Sequence, residues 1–283
     1  MQVKTALQTA TELLSESDSA ALDAEVLLCL VLQKQRSYLR AWPNLELPAD
    51  LALQFRTLIE QRQQGTPIAY LTGNREFWSR DFKVTPDVLI PRADTELLIE
   101  LCLTLIPSDK PCKIIDLGTG SGIIAITLAA ERPLAQLTGI DISLAALSVA
   151  KLNAINHSIP NVQFHQSDWF TSVPDDTYQI IVSNPPYIAE DDEHLKRGDL
   201  RFEPRSALSA AESGLSDIRI ITKTAYSRLD DGGYLLVEHG YDQQQQVQKL
   251  FNECHYQQVQ TINDLAGLAR VTYGQRLNTP NQI

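Results

Sequence analysis

Lys113-Ile114-Ile115-Asp116-Leu117-Gly118-Thr119-Gly120-Ser121-Gly122 is the stretch that decides the fold. A strand-length apolar run, Lys113 to Leu117, ends in a loop with glycine at every second position, and a helical pattern, Ile123 to Glu131, follows at once. A strand feeding a helix through so short a turn is the first half of a βαβ unit. Glycines at the carboxyl end of such a strand let the backbone come close to a bound molecule. The spacing is G-x-G-x-G and lacks the third glycine of the dinucleotide fingerprint. Taken alone, the loop is either a nucleotide-like ligand site or a plain tight turn.

Outward from this stretch, apolar runs continue to alternate with helical patterns. Further strands are expected at Gln136 to Asp141, Val162 to His165, Tyr178 to Ser183 and Tyr234 to Glu238, with a closing pair near Val259 and Val271. Helices are expected at Leu144 to Asn156 and Leu215 to Leu229. This is the α/β class, a Rossmann-like parallel sheet with helices on both faces. Before it, the chain carries helical periodicity only. Leu22, Val26, Cys29 and Leu30 share one face, Leu51, Phe55, Leu58 and Ile59 another, and Pro43 and Pro48 separate the helices. Gly65 suits a left-handed cap, with Pro67 beyond it. From Ile68 to Val88 the residues turn aromatic and β-leaning, broken by Gly73-Asn74. The expected division is a helical bundle over 1–72, a β-hairpin linker over 73–88 and the α/β domain over 89–283.

The 283 residues include 35 acidic and 24 basic side chains, a formal charge of −11. That field repels polyanions, and no Lys/Arg run stands ready to neutralise several phosphates, so no nucleic-acid partner is expected. No apolar run reaches the roughly 18 residues of a membrane span, and Met1-Gln2-Val3-Lys4 lacks the layout of a signal peptide. The four cysteines, Cys29, Cys102, Cys112 and Cys254, are scattered without metal or redox spacing. A cytoplasmic monomer with no metal and no membrane contact is the expectation. Gln243 to Gln246 is the one low-complexity tract, read as the solvated face of a helix.

Three further features fall at strand ends. Asp141 closes the second strand about twenty residues beyond the loop, where a carboxylate can accept from both hydroxyls of a ribose; a helix cap is the plainer alternative. Ser167-Asp168-Trp169 follows the third strand, so that Asp168 can accept from an adenine amine and Trp169 pack on the ring, or the pair can be a cap and a core residue. The fourth strand runs into Asn184-Pro185-Pro186-Tyr187. Proline fixes φ near about −65° and restricts the residue before it, so this loop is stiff. The Asn184 side-chain oxygen and the Pro185 carbonyl are two acceptors at fixed separation, able to hold both hydrogens of an –NH₂ group while Tyr187 packs on the attached plane. His157, His165 and His239 read as ordinary surface or core residues.

The strand, the D-L-G-T-G-S-G loop and the strand-terminal Asp together resemble the class I S-adenosylmethionine methyltransferases. The tetrapeptide on that fold resembles both DNA adenine methyltransferases and protein glutamine methyltransferases. Acidity, the absence of a spare segment for base flipping and the leading helical bundle favour a protein substrate. Phe77-Trp78, Leu89-Ile90-Pro91-Arg92, Asp94-Thr95-Glu96, Ser167-Asp168-Trp169-Phe170, His194-Leu195 and Gly198-Asp199-Leu200-Arg201-Phe202-Glu203-Pro204 are similar to the peptide chain release factor N(5)-glutamine methyltransferases, the PrmC/HemK family, over almost the whole chain. The resemblance implies that Gly118, Thr119, Gly120, Ser121, Gly122, Asp141, Asp168, Trp169 and Asn184 contact S-adenosyl-L-methionine. It implies too that Asn184, Pro185, Pro186 and Tyr187 hold the glutamine of a Gly-Gly-Gln loop in a class 1 release factor, docked with help from the helical domain. Ala93 departs from the family's usual proline. The related ribosomal-protein glutamine methyltransferases share the core tetrapeptide, and a non-catalytic cofactor-binding scaffold is the remaining alternative.

Overall fold

The computed structural model describes residues 1–173 and 175–277, so Pro174 and the last six residues of the expected catalytic domain lie outside the described residues. The chain forms two compact units, Met1–Asn74 with Lys196–Phe202, and Arg75–Leu195 with Glu203 onward.

The first unit is helical: α1 (Val3–Leu13), α2 (Ala20–Leu32), α3 (Arg36–Ala41), α4 (Ala49–Gln63) and α5 (Ile68–Thr72). Its core is built from Val3, Leu27, Leu28, Phe55 and Ile59. Phe55 and Ile59 fall on the face that periodicity selects. In α2 the face differs: Ala24, Leu27 and Leu28 are buried, whereas Leu22 and Leu30 are exposed. That helix is apolar nearly all round, so spacing alone does not choose its inner side. Asp23 is also buried there, held by Arg62 Nε at 2.8 Å and by the hydroxyls of Ser17 and Ser19. Gly65 takes φ +98°, as its place after α4 requires.

The hairpin comes later than the Gly73-Asn74 signal suggests. Gly73, at φ +68°, ends α5, and strands β1 (Asn74–Phe77) and β2 (Arg80–Lys83) turn at Trp78-Ser79, both left-handed. Neither residue is the usual Asn or Gly of such a turn. Their backbone amides are instead tied down, Trp78 N–H to Glu96 Oε1 at 3.2 Å and Ser79 N–H to Glu76 Oε1 at 2.7 Å. Phe77 and Phe82 are buried in the core of the second unit.

The rest of that unit runs α6 (Thr95–Leu105), β3 (Lys113–Leu117), α7 (Ile123–Glu131), β4 (Gln136–Asp141), α8 (Leu144–Asn156), β5 (Val162–Gln166), β6 (Tyr178–Ser183), β7 (Ile188–Ala189), β8 (Ser209–Ala210), α9 (Ser216–Arg228), β9 (Leu229–Glu238), α10 (Gln244–Glu253), β10 (Gln257–Asn263) and β11 (Ala269–Gln275). Seven strands form one sheet in the order β10-β11-β9-β6-β3-β4-β5, parallel from β9 to β5, with β11 antiparallel to both its neighbours. Side chains alternate across it. Ile114, Ile180, Val182 and Leu236 pack with α6, α7 and α8, while Ile115, Ile181, Leu235 and Val237 pack with α9 and α10. Burial on both faces is what makes these strands continuous apolar runs. From β3 the chain winds outward first through β4 and β5, then the other way through β6 and β9, so the strand order reverses beside β3. Ligands of open α/β sheets bind at such a reversal, outside the carboxyl ends of the strands.

Candidate active site

A cavity of about 480 Å³ opens at that edge, walled in part by Gly118, Gly120, Asp141, Ser167, Asp168, Trp169, Asn184 and Pro186. Residues from the ends of β3, β4, β5 and β6 thus meet in one place. Gly118, Gly120 and Gly122 all have positive φ, at 73°, 55° and 83°, so the alternating glycines serve an alternating left-handed backbone. Thr119 braces the loop from below. Its N–H donates to the Ile140 carbonyl at 2.8 Å and its hydroxyl to Asp116 Oδ2 at 2.6 Å. Asp116 is fully buried, with Oδ1 lacking a partner among the described residues, and burial pushes its pKa up to about 7 against the pull of Thr119 and the Ala125 N–H.

Asp141 joins two loops. Its Oδ2 accepts from Gly120 N–H and its Oδ1 from Ser143 N–H, each at 2.9 Å. Burial raises its pKa, and these amides together with that of Ile142 draw it back. Each oxygen keeps acceptor capacity for a ligand. Ser143, not Asp141, caps α8, its hydroxyl accepting from Ala146 N–H at 3.1 Å.

Trp169 sits at φ +45°, held by Ser167, whose hydroxyl donates to the Trp169 carbonyl at 2.6 Å and accepts from Ser172 N–H at 3.0 Å. The indole lies over Gly118, its ring 3.5 Å from where a Cβ on that glycine would stand. Asp217, from α9, also lines the cavity. Burial and the charge of Asp168 raise its pKa, and the Trp169 indole N–H favours its anion. Nothing in the local sequence singles Asp217 out, since it lies in the first turn of a helix where acidic residues are common. With Asp87, Asp141 and Asp168 it makes four carboxylates in the wall, and among the described residues no Lys, Arg or His lines the cavity. Such a wall suits a cationic, hydroxyl-bearing ligand and disfavours a phosphate.

The tetrapeptide divides. Asn184 and Pro186 line the cavity, whereas Pro185 is buried and neither it nor Tyr187 is a wall residue. Tyr187 is tied at both ends: its hydroxyl donates to Glu238 Oε1 at 3.2 Å and its carbonyl accepts from Gln243 Nε2 at 2.9 Å. A buried phenol needs such a partner. Burial, followed by the Glu238 charge, drives its pKa far up. Gln243 also donates to the Ser213 carbonyl at 3.1 Å and accepts from Gly240 N–H at 2.8 Å. The polyglutamine tract is therefore solvated only at Gln244, Gln245 and Gln246. Gly214 is obligatory beside it, since a Cβ there would stand 2.0 Å from the Tyr187 carbonyl oxygen. On Asn184 the amide nitrogen donates to Thr95 Oγ1 at 3.1 Å. Glu203 anchors the approach to α6, accepting from Ile90 N–H at 2.9 Å and pairing with Arg92. Ala93 is an exposed turn residue whose carbonyl accepts from Glu96 N–H at 3.0 Å. His239 is buried between the Gly240 carbonyl and Thr272 Oγ1, and the His157 ring packs at a tilt against Phe82.

No cluster of metal-ligating side chains and no helix long and apolar enough to cross a membrane occurs among the described residues. The fold is shared with a methyltransferase from Pyrococcus furiosus (TM-score 0.54, 14% identity, 78% of this chain and 98% of that one). It is shared as well with the Thermus thermophilus 16S rRNA N2 G1207 methyltransferase, solved with AdoMet and guanosine (TM-score 0.53, 18% identity, 72% of this chain and 49% of that one). Residues 5–73 match the family described as PrmC N-terminal domain, and residues 94–199 match the methyltransferase small domain. Sheet order and glycine loop define a Rossmann-like fold, and the methyltransferase small domain match makes it a methyltransferase. Proteins named release factor glutamine methyltransferase align with nearly the whole chain. The one from Vibrio cholerae is 50% identical over 280 residues, 96% of each chain, and that from Escherichia coli 44% identical over 268 residues, 95% of this chain and 96% of the relative. The chain belongs to the release factor glutamine methyltransferase family.

Proposed function

We propose that this enzyme transfers a methyl group from S-adenosyl-L-methionine to the side-chain amide nitrogen of the glutamine in the Gly-Gly-Gln motif of class 1 peptide chain release factors, leaving N(5)-methylglutamine and S-adenosyl-L-homocysteine. The observation that carries the reading is the meeting of Asn184 and Pro186 with a carboxylate-walled cavity in which no cation waits for a phosphate. In this reading Asp141 accepts from the ribose hydroxyls, Asp168 accepts from the adenine amine, Trp169 packs on the ring, and the glycine loop allows close backbone approach; that all of them line the cavity supports it. When bound, it supplies an electrophilic methyl on a sulfonium.

The chain's own work is alignment. A primary amide is a weak nucleophile because its lone pair is delocalised. Acceptance of an amide N–H by Asn184 Oδ1, the acceptor that lines the cavity, builds density on nitrogen and favours the pyramidal geometry of the transition state. Holding that nitrogen against the methyl accounts for much of the remaining acceleration. The helical unit provides the docking surface for the release factor in this reading.

Labelled methyl transfer tests it, using a purified release factor, the same factor with the Gly-Gly-Gln glutamine replaced, a ribosomal-protein fraction and duplex DNA. Label in the intact factor alone is expected. Label in DNA or in the ribosomal fraction instead would move the enzyme to another substrate.

A further inference from the structure

Glu238 is a fully buried carboxyl that the reaction as described above does not use. It ends β9, and because Ser183 pairs with Val237 across β6 and β9, the sheet register brings it beside Asn184. One oxygen, Oε1, takes the Tyr187 hydroxyl, and the other, Oε2, is buried without a partner at hydrogen-bond distance. Thr95, also buried, stands between the two groups. Its hydroxyl accepts from Asn184 Nδ2 at 3.1 Å and lies close enough to Glu238 to favour the anion. Among the described residues that hydroxyl proton has no acceptor at hydrogen-bond distance, and the unpartnered Glu238 Oε2 is the group it can turn to.

An asparagine amide fits its site in two ways, related by exchange of oxygen and nitrogen, and only the hydrogen-bond network decides between them. We infer that Thr95 and Glu238 are positioning residues that set this choice, by committing the Thr95 proton to Glu238 so that Asn184 presents Nδ2 to Thr95 and Oδ1 to the substrate amide. The inference rests on the role given to Asn184 in the proposed function. A hydroxyl has one proton. While Glu238 is anionic, Thr95 donates to it and can only accept from Asn184. Once Glu238 is protonated, the carboxyl becomes the donor, Thr95 accepts from it, and the freed Thr95 proton turns toward Asn184. The amide then reverses, placing an N–H where the substrate needs an acceptor.

Tyr187 after β6 contacts Glu238 directly, and Asp94 and Thr95 at the start of α6 and Arg270 on β11 act on its charge. Burial is the main influence and raises its pKa to about 7, opposed by the hydroxyls of Thr95 and Tyr187 and by the Arg270 charge, and reinforced by Asp94. Arg270 is itself shared with Asp94 at 3.1 Å and Asp264 at 2.9 Å. His239, next in the chain, turns its ring to Gly240 and Thr272 instead. The switch thus lies within a unit or so of neutrality.

Steady-state methyl transfer to a release factor, run from pH 5.5 to 8.5 with Thr95→Val, Thr95→Ser, Glu238→Gln and Asn184→Ala, and with cofactor affinity measured alongside, tests the assignment. Thr95→Val removes the hydroxyl at nearly constant shape and is expected to lower kcat by roughly tenfold to hundredfold, less than the about 10² to 10³ of a directly lost preorganised contact because Thr95 acts through Asn184, with cofactor Kd almost unchanged. Thr95→Ser restores the hydroxyl and should recover most of that loss. In the wild type kcat falls as pH drops through about 7; in Glu238→Gln that acidic limb is absent and kcat is low throughout. Wild-type turnover in Thr95→Val, equal impairment in Thr95→Ser, or an unchanged acidic limb in Glu238→Gln overturns the positioning role. Retained turnover in Asn184→Ala overturns the reading of the tetrapeptide itself, and so separates the two failures.

Discussion

Removal of the Asp141 carboxylate should loosen the cofactor far more than it slows the chemical step. In the structure the group already has two duties, holding Gly120 N–H on one oxygen and Ser143 N–H on the other, both at 2.9 Å. In the proposed complex the ribose hydroxyls are a third. Charge-assisted bonds of this kind are worth about 1.5–3 kcal/mol net, so losing the equivalent of one raises Kd by roughly 10- to 150-fold. A second cost comes from the loop. With Gly120 unhooked, a residue that the wild type holds in place is ordered only on binding, at about 1–2 kcal/mol per residue fixed. Asp141→Ala is therefore expected to weaken binding on the order of 10² or more, with Asp141→Asn between it and the wild type because one acceptor oxygen survives. Turnover at saturating cofactor should stay within several-fold, since Asn184 and its partners are untouched. Calorimetric titration of S-adenosylmethionine into the three proteins measures the effect. A cofactor analogue lacking a ribose hydroxyl separates the two components: it should bind the wild type more weakly and lose in Asp141→Ala only the loop component, because the ribose interaction is shared. Wild-type affinity in Asp141→Ala, or full additivity with the analogue, refutes the ribose contact.

Gln243→Ala deletes three hydrogen bonds that clamp Tyr187, Ser213 and Gly240; it should cost about 1–3 kcal/mol in urea unfolding and lower turnover without changing cofactor affinity, which calorimetry alongside kinetics would show. Trp169→Leu removes the ring over Gly118, and a several-fold to tenfold rise in cofactor Kd, seen also as loss of the fluorescence change on binding, is expected. Asp116 and Glu238 both have folded-state pKa values raised to about 7 by burial, so the native state holds their protons more tightly than the unfolded chain. The stability they contribute is complete below the unfolded carboxyl range and is lost as pH rises through 7, at up to about 1.4 kcal/mol per pH unit for each group. Urea melts of the apoprotein at pH 6 and 8 should show this, and the difference should shrink in Asp116→Asn.

Much of the sheet was legible because both its faces are covered. A strand buried on two sides is an unbroken apolar run with sharp ends, so β3, β4 and β6 match their expected limits, as do α7 and α8. Where one-sided burial or turn chemistry decided, reading was poorer. The face of α2 was ambiguous because nearly every position is apolar, and the hairpin turn at Trp78-Ser79 carries neither residue of the usual signal because Glu76 and Glu96 supply the restraint from outside it. No capping signal in the sequence places α6, although Asp94-Thr95-Glu96 opens it. Its first turn carries no side-chain cap; Asp94 pairs with Arg270 instead. Within the site, the residues at strand ends were readable from position alone. Thr95, Asp217 and Glu238 were not, since a threonine, an aspartate and a glutamate gain meaning only through neighbours far along the chain.

The tetrapeptide shows why position along one strand is insufficient. Two prolines stiffen the backbone of Asn184 to Tyr187, but they leave the Asn184 amide free to present either its oxygen or its nitrogen to the cavity. That choice is made by groups more than forty residues away in each direction: Thr95, which the packing of α6 beneath β6 and β9 holds in place through Leu98, Ile99, Val182 and Leu236, and Glu238, which the register of β9 sets beside the loop. Gln243, five residues past Glu238, then fixes the Tyr187 carbonyl. The strand order that places β9 next to β6 is thus a condition of the chemistry as well as of the core. On the role proposed for Asn184, a rearrangement of this edge that kept every side chain is expected to lose the reaction, because the acceptor oxygen is then no longer assigned to the substrate.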